Sequence, residues 1–402
     1  MKSVIEANWA DEVAFLQALV AIPSNNPPGD CGPVAGDAAE LLRARGFLVE
    51  EYPVPEPFVR QFGMKSVTNL IIRETFGKGG PVIALNAHGD VVPPGDGWSV
   101  DPFGGAIRGD ALYGRGAAVS KSDFATYCFA LKALKQYGAG LKGRVELHLT
   151  FDEETGGFVG PKYLLEQGIT KPDMAISAGF THAITTAHNG CLHLEVVVRG
   201  RQAHAALPES GIDALEAATP ILQALYLERK RLSSLESGQK GIGSPKLTVG
   251  LISGGINTNV VPDRVVLRID RRLIPEEDGT VVEKQLSDLV RAHAMTDAGA
   301  EIECRRIMLA EPLRPVAGTQ ELVQAIQSAA NDVLGEAIEA TGAPLYTDAR
   351  HYCEAGIPTV LFGAGPRTIL EANAHGADEH VKLSDLKAAT EIVALALRDL
   401  LV

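Results

Sequence analysis

Aromatic residues make up only 5% of the 402-residue chain, and no stretch approaches the ~18 consecutive apolar residues of a membrane-spanning helix. The first residues, MKSVIEANWADEVAF, carry acidic side chains where a secretory leader needs an unbroken apolar run, so a cytoplasmic location is expected. Basic residues are scarce as well. The 37 Lys and Arg against 50 Asp and Glu give a formal charge of −13, with no basic stripe to hold a phosphate backbone. Nucleic acid and anionic membranes are therefore poor partners, and a small molecule is the expected one. The five cysteines (Cys31, Cys128, Cys191, Cys304, Cys353) are scattered, odd in number and without a CxxC pair. That pattern indicates neither a disulfide framework nor a zinc-thiolate site, and buried thiols in a reducing compartment are the simplest reading. Repeats and low-complexity blocks are missing too.

What remains is a Gly- and Ala-rich chain, 46% hydrophobic, of α/β character and long enough that two domains are expected. Its organising stretch is ALNAHGD, residues 84–90. A short apolar run closed by polar residues predicts a buried parallel strand, whose carboxyl end is where open α/β sheets place their chemistry. His88 and Asp90 alternate out of that end. A ligand imidazole beside an orienting carboxylate would have this spacing, as would a structural histidine.

In order, helical periodicity covers 11–20 and 35–45, with the proline-rich IPSNNPPGD between them. Short β-type runs follow at 47–54, 69–73 and 82–85. The turn-rich segment from Val91 to Asp123 predicts a long ordered loop with a functional task. A helix over 121–137 and a strand over 145–151 lead into DEETGG, a second strand end bearing carboxylates. Beyond Gly190 the pattern changes to strand, helix, strand, strand, helix, strand, with helices at 212–232 and 279–296. This βαββαβ order predicts an inserted ferredoxin-like domain. The expected division is a catalytic domain over 1–190 and 309–402, split around an inserted domain at 191–308. The first pattern resumes with a helix over 320–334, TDARHY, a strand at 359–362, AHGADEH and a final helix from Ser384.

Taken in order, HGD at His88, WSVDPFGG, LYGRGAA, DEETGG, GRQAHAALP, NVVPD followed by DRRLIP, TDAR and AHGADEH resemble the M20 family of metal-dependent amidohydrolases and peptidases over nearly the whole chain. The resemblance implies a zinc-peptidase-like α/β catalytic domain with a ferredoxin-like lid and dimerisation domain. It implies His88, Glu154 and His375 as metal ligands, Asp90 as orienter of His88, and Glu153 as general base. It implies that His204 reaches a neighbouring subunit's site and polarises the scissile carbonyl, and that Asn259, Arg272 and Arg350 take the substrate carboxylate. Chemistry agrees: a divalent cation makes water nucleophilic near neutral pH, and adjacent glutamates at a strand end point apart, so one can bind metal while the other holds the proton. Asp378, Glu379 and His380 read as helix-approach residues, and His148, His193 and His293 as fold or surface residues.

Two family positions differ here. A bridging aspartate is implied after GRGAA, where this chain has Val119, and an acidic ligand in a GEP-like turn, where AISAGFT supplies Gly179. Two dications ~3.5 Å apart repel by about 19 kcal/mol even at an effective dielectric near 20. One ion per subunit (Zn, Mn or Co) is therefore expected. Asp123, four residues past Val119, is the expected substitute ligand, although Ser120 and Asp123 also have capping-box spacing. His182 and His188 are further candidates.

The expected activity is hydrolysis of a C–N amide bond in a small carboxylate-bearing substrate, such as an N-acyl amino acid or dipeptide, by a homodimer or higher oligomer assembled through the inserted domain. Alternatives are an aminohydrolase releasing ammonia from an amine, a carboxylate-binding relative without catalysis, and a regulatory relative whose insert serves assembly.

Overall fold

The computed structural model describes all residues except 138–139, 295–298 and 369. The chain forms two compact units, one of Met1–Thr186, Pro315–Thr341 and Thr347–Val402, the other of Ala187–Arg314 with Gly342–Tyr346. The first is built on an eight-stranded sheet in the order Val49–Pro53, Thr68–Gly77, Gly143–Thr150, Val82–His88, Met174–Ser177, Thr359–Leu361, Ala183–His188, Glu339–Ala343.

The central strand Val82–His88 runs parallel to both neighbours and is buried from Ile83 onward. Burial on both faces explains its continuous apolar run. Gly89, just past its end, lies so close to Phe151 that a Cβ there would approach the ring to 2.5 Å. Only glycine lets the chain turn beside that ring and carry Asp90 inward. The helices Lys2–Val20, Lys121–Tyr137 and Leu383–Leu400 pack against one another. Within the segment expected as a long loop, Ala106–Arg108 and Ala111–Tyr113 pair with each other, and the latter with His380–Lys382. Three-residue strands are too short to show alternation in sequence.

The second unit has the βαββαβ order, its antiparallel sheet running Lys246–Gly254, Arg264–Leu273, Gly190–Arg199, Glu301–Ala310. Leu192, Leu194, Val196 and Val198 join one core with residues of the helices Ala214–Leu232 and Gly279–Ala292, so the intervening Cys191, His193 and Glu195 belong to the opposite sheet face. Asp213 and Asp278 cap those helices by accepting from backbone N–H groups of their first turns. The expected end of the second helix at Thr296 lies outside the described residues. Among the described residues, no helix is long and apolar enough to cross a membrane.

Candidate active site

The parallel strand ends bring three ligand-type side chains together. One ligand atom each from His88, Glu153 and Glu154 lies within 4.8 Å of the others. Ser120 clamps the strand end, its hydroxyl 3.1 Å from both the His88 N–H and the His88 carbonyl. The expected capping hydroxyl is thus engaged with the end of the strand Val82–His88. His88 Nδ1 sits 3.0 Å from the Asp90 carbonyl and 3.3 Å from Asp90 Oδ1, while Nε2 is 3.9 Å from Glu153 Oε2.

Asp90 organises this corner. Fully buried, it accepts from the Glu153 N–H at 3.2 Å, the Glu154 N–H at 3.1 Å and Asn26 Nδ2 at 2.9 Å. Its carboxylate holds both the imidazole and the turn bearing the two glutamates. Sequence reasoning anticipated the contact to His88; the grip on the glutamate backbone and the part of Asn26 carried no local signal.

Two further carboxylates escaped notice. Asp152 and Asp348 are both buried. Asp152 Oδ2 accepts from the Val159 N–H at 2.7 Å, and Asp348 Oδ2 from Thr150 Oγ1 at 3.4 Å. Close approach by Gly157 admits Asp348, whose Oδ1 would be 2.1 Å from a Cβ at that glycine. Burial raises the Asp152 pKa well above the carboxylate range, with Asp348 and Asp90 adding repulsion, and pushes Glu153 and Asp348 up to about 8. At His88 burial disfavours the imidazolium, but Glu153, Asp90 and Glu154 outweigh it and hold the pKa well above the ordinary value. The pocket crowds more carboxyl groups than its own cationic groups can keep ionised, so several hold protons that a cation would displace.

His375 arrives on a strained segment, since Asn373, His375 and Asp378 all have positive φ, at 51°, 61° and 56°. Its Nε2 is 3.3 Å from Glu154 Oε1, a buried oxygen that receives no aligned hydrogen bond, while His375 itself lies outside the group converging with His88. A buried ion pair fixes this segment: Arg115 Nη1 meets Glu379 Oε2 at 2.5 Å, and Arg115 Nη2 donates to the carbonyls of His375 and Gly376. Glu379 Oε1 accepts from Ala118 and Val119. Glu379 is therefore the brace of the His375 loop, and Asp378 Oδ1 accepts from the Ser99 N–H at 2.8 Å.

Asp123, expected as a substitute ligand, is placed elsewhere. Its Oδ1 accepts from the Ala364 N–H at 2.7 Å, and it is not among the atoms converging with His88. The first turn of its helix aims the carboxylate at the 363–364 turn, where Gly363 leaves room for it. Burial pushes its pKa up to about 8. His182 Nε2 lies 2.9 Å from Asp385 Oδ1. His188, in the second unit, has Nδ1 2.9 Å from the Asn189 carbonyl. Gly179 packs so tightly that a Cβ would lie 2.7 Å from Phe362 N. Arg350, expected on a substrate carboxylate, is buried; it donates to the Gly156 carbonyl and stacks over Phe158 at 5.1 Å.

In the second unit, His204 and Asn259 are exposed neighbours: the Ala205 N–H donates to the Asn259 carbonyl, and His204 Nδ1 accepts from the Ala206 N–H. Arg272 is part-exposed, its Nε 3.0 Å from Asp270 Oδ1 and its guanidinium 5.9 Å from the Tyr346 ring centroid.

Fold and site together define a class: a two-unit α/β protein with a histidine and carboxylate cluster at its parallel strand ends and a second unit of ferredoxin-like βαββαβ order. Comparison with known proteins makes this specific. The family described as Peptidase family M20/M25/M40 matches residues 84–399. The chain is 31% identical over 398 residues to a succinyl-diaminopimelate desuccinylase of Gluconacetobacter diazotrophicus, covering 95% of each chain, and 30% identical over 399 residues to that of Granulibacter bethesdensis, covering 95% of this chain and 96% of the relative. Among solved structures, an M20 family metallo-carboxypeptidase from Sulfolobus solfataricus superposes with a TM-score of 0.74 at 20% identity, covering 96% of this chain and 99% of that one. A Bacillus subtilis protein described as a dinuclear metal binding peptidase from the M20 family gives 0.71 at 19%, covering 98% and 99%. The chain belongs to peptidase family M20/M25/M40, and it is a hydrolase acting on amide bonds.

Proposed function

We propose that this hydrolase cleaves the amide bond of an N-acyl amino acid or dipeptide bearing a free carboxylate, with Glu153 as general base and one divalent ion held by His88, Glu154 and His375. The observation that carries the reading is the pinning of Asp90 by the backbone N–H groups of both glutamates. It sends the two side chains to different tasks, Glu153 toward His88 Nε2 and Glu154 toward His375. The unbonded, buried Glu154 Oε1 suits a cation, and a His, Glu, His donor set suits Zn, Mn or Co. A second ion lacks equivalent support, because Val119 offers only its backbone N–H to Glu379 and Gly179 has no space for a side chain. Asp123, engaged with Ala364, is left out of the ligand set.

An ion held by these residues would supply Lewis acidity, making water nucleophilic near neutral pH. Glu153 would take the proton from the attacking water and return it to the departing amide nitrogen, and the raised pKa of its buried carboxyl suits a group that must hold a proton between the two transfers. Asp90 keeps the His88 ring oriented. His204 of a neighbouring copy of the chain would steady the oxyanion, as the family resemblance implies, Asn259 and Arg272 would take the substrate carboxylate, and Arg350 braces the turn at Gly156. Assembly through the inserted unit belongs to the same reading; the edge strand Lys246–Gly254 exposes Leu251 and Ile252, and light scattering tests it.

The test is a panel of N-acyl and N-succinyl amino acids and dipeptides assayed with chelator-treated protein given Zn, Mn or Co. Glu153→Gln is expected to lower kcat by about 10²- to 10⁴-fold while ligand binding persists. Binding without turnover in the unaltered protein would instead identify a carboxylate-binding relative. Ammonia release from an amine would identify the aminohydrolase alternative.

A further inference from the structure

We propose that Cys191, His193 and Asp270 form a second cation site, for a thiolate-binding divalent metal of the zinc class, on the helix-free face of the second unit's sheet. The proposal does not rest on the reaction proposed above, with which it shares only the Arg272 side chain. Strand register creates the juxtaposition, pairing His193 with Asp270 and Cys191 with Arg272 on adjacent antiparallel strands. Cys191 Sγ lies 3.2 Å from His193 Nε2 and 3.8 Å from Asp270 Oδ2, and those last two atoms are 2.9 Å apart.

Tetrahedral bonds of 2.0–2.3 Å separate neighbouring ligand atoms by about 3.3–3.6 Å. The three observed separations straddle that range, so one ion fits with shifts of a few tenths of an ångström. Sulfur, nitrogen and one carboxylate oxygen select a borderline-soft metal over calcium or magnesium. Cys191 is buried beneath the other two, while His193 and Asp270 are 36% and 29% exposed, which leaves a solvent-side position for a fourth ligand. Arg272 Nε holds Asp270 Oδ1 at 3.0 Å and turns Oδ2 toward the sulfur and imidazole, as an outer-shell orienter does. A thiolate and a carboxylate neutralise the dication, so the adjacent guanidinium is tolerated.

Cobalt separates this site from the catalytic cluster, whose proposed ligands contain no sulfur. The full-length, chelator-treated protein titrated with Co(II) is expected to develop a near-ultraviolet sulfur-to-cobalt charge-transfer band that saturates. The band should survive Glu154→Gln and vanish in Cys191→Ser. His193→Gln, at a part-exposed position that spares the fold, should weaken cobalt binding at least about tenfold. No sulfur band in the unaltered protein, an undiminished band in Cys191→Ser, or unchanged affinity in His193→Gln would overturn the proposal and leave the trio an ordinary hydrogen-bonded cluster.

Discussion

The two histidine clusters differ in what holds them. Around His88 the backbone does the organising, since N–H groups of Glu153 and Glu154 grip Asp90, and Glu154 Oε1 is left without an aligned donor. Around His193 the side chains satisfy one another, Cys191 to His193 to Asp270 to Arg272, across a regular strand pair. The first cluster is tied to the main chain through the Asp90 carboxylate, whereas the second is held by side-chain contacts alone. Pre-organisation by main chain is the better foundation for chemistry.

The contrast can be broken most severely at the brace of the first cluster. Arg115→Met strands the buried Glu379 carboxylate and should cost about 3–5 kcal/mol in urea unfolding, whereas a change confined to the second cluster should not approach that. Next, Asp90→Asn replaces an acceptor for the two glutamate N–H groups and the His88 ring. Calorimetric metal affinity should fall by about 10- to 100-fold with the fold retained.

A third test uses pH. The folded-state pKa of Asp123 is about 8, against about 4 unfolded, so between those values the folded state holds a proton that the unfolded state has released. Stability from this group is present at low pH and is lost as pH rises toward 8. In chelator-treated protein, Asp123→Asn should remove a downward slope of up to about 1.4 kcal/mol per pH unit across that window, read from unfolding curves at successive pH values. Smallest is His193→Gln without metal, which breaks a part-exposed pair and should change unfolding free energy by about 1 kcal/mol or less.

Much of the framework was legible because it is written in period and order. The helix over 121–137 has its expected limits, and the βαββαβ order of the second unit follows directly from alternation and turn residues. His88, Glu153 and Glu154 were legible as strand-end residues, and their meeting follows from parallel pairing of Val82–His88 with Gly143–Thr150. The rest depends on contacts between distant segments. Nothing near Glu379 announces Arg115, 264 positions away, and nothing near Asp123 announces the Ala364 N–H. Cys191 and His193 read as unrelated because their partner Asp270 enters only through strand register. Spacing within a strand can be read from sequence, whereas which strand comes alongside is decided by tertiary packing.

Met174–Ser177 and Ala183–His188 are successive strands, yet Thr359–Leu361 lies between them in the sheet. A chain emerging from the ribosome therefore makes both sides of a slot long before it makes the strand that fills it, and His375 comes later still. The sheet becomes continuous only once Thr359–Leu361 is made, so a fragment ending before that strand lacks both the strand and His375 of the proposed His88, Glu154 and His375 set. A single late strand thus delays the proposed pocket until the residues through His375 have been made.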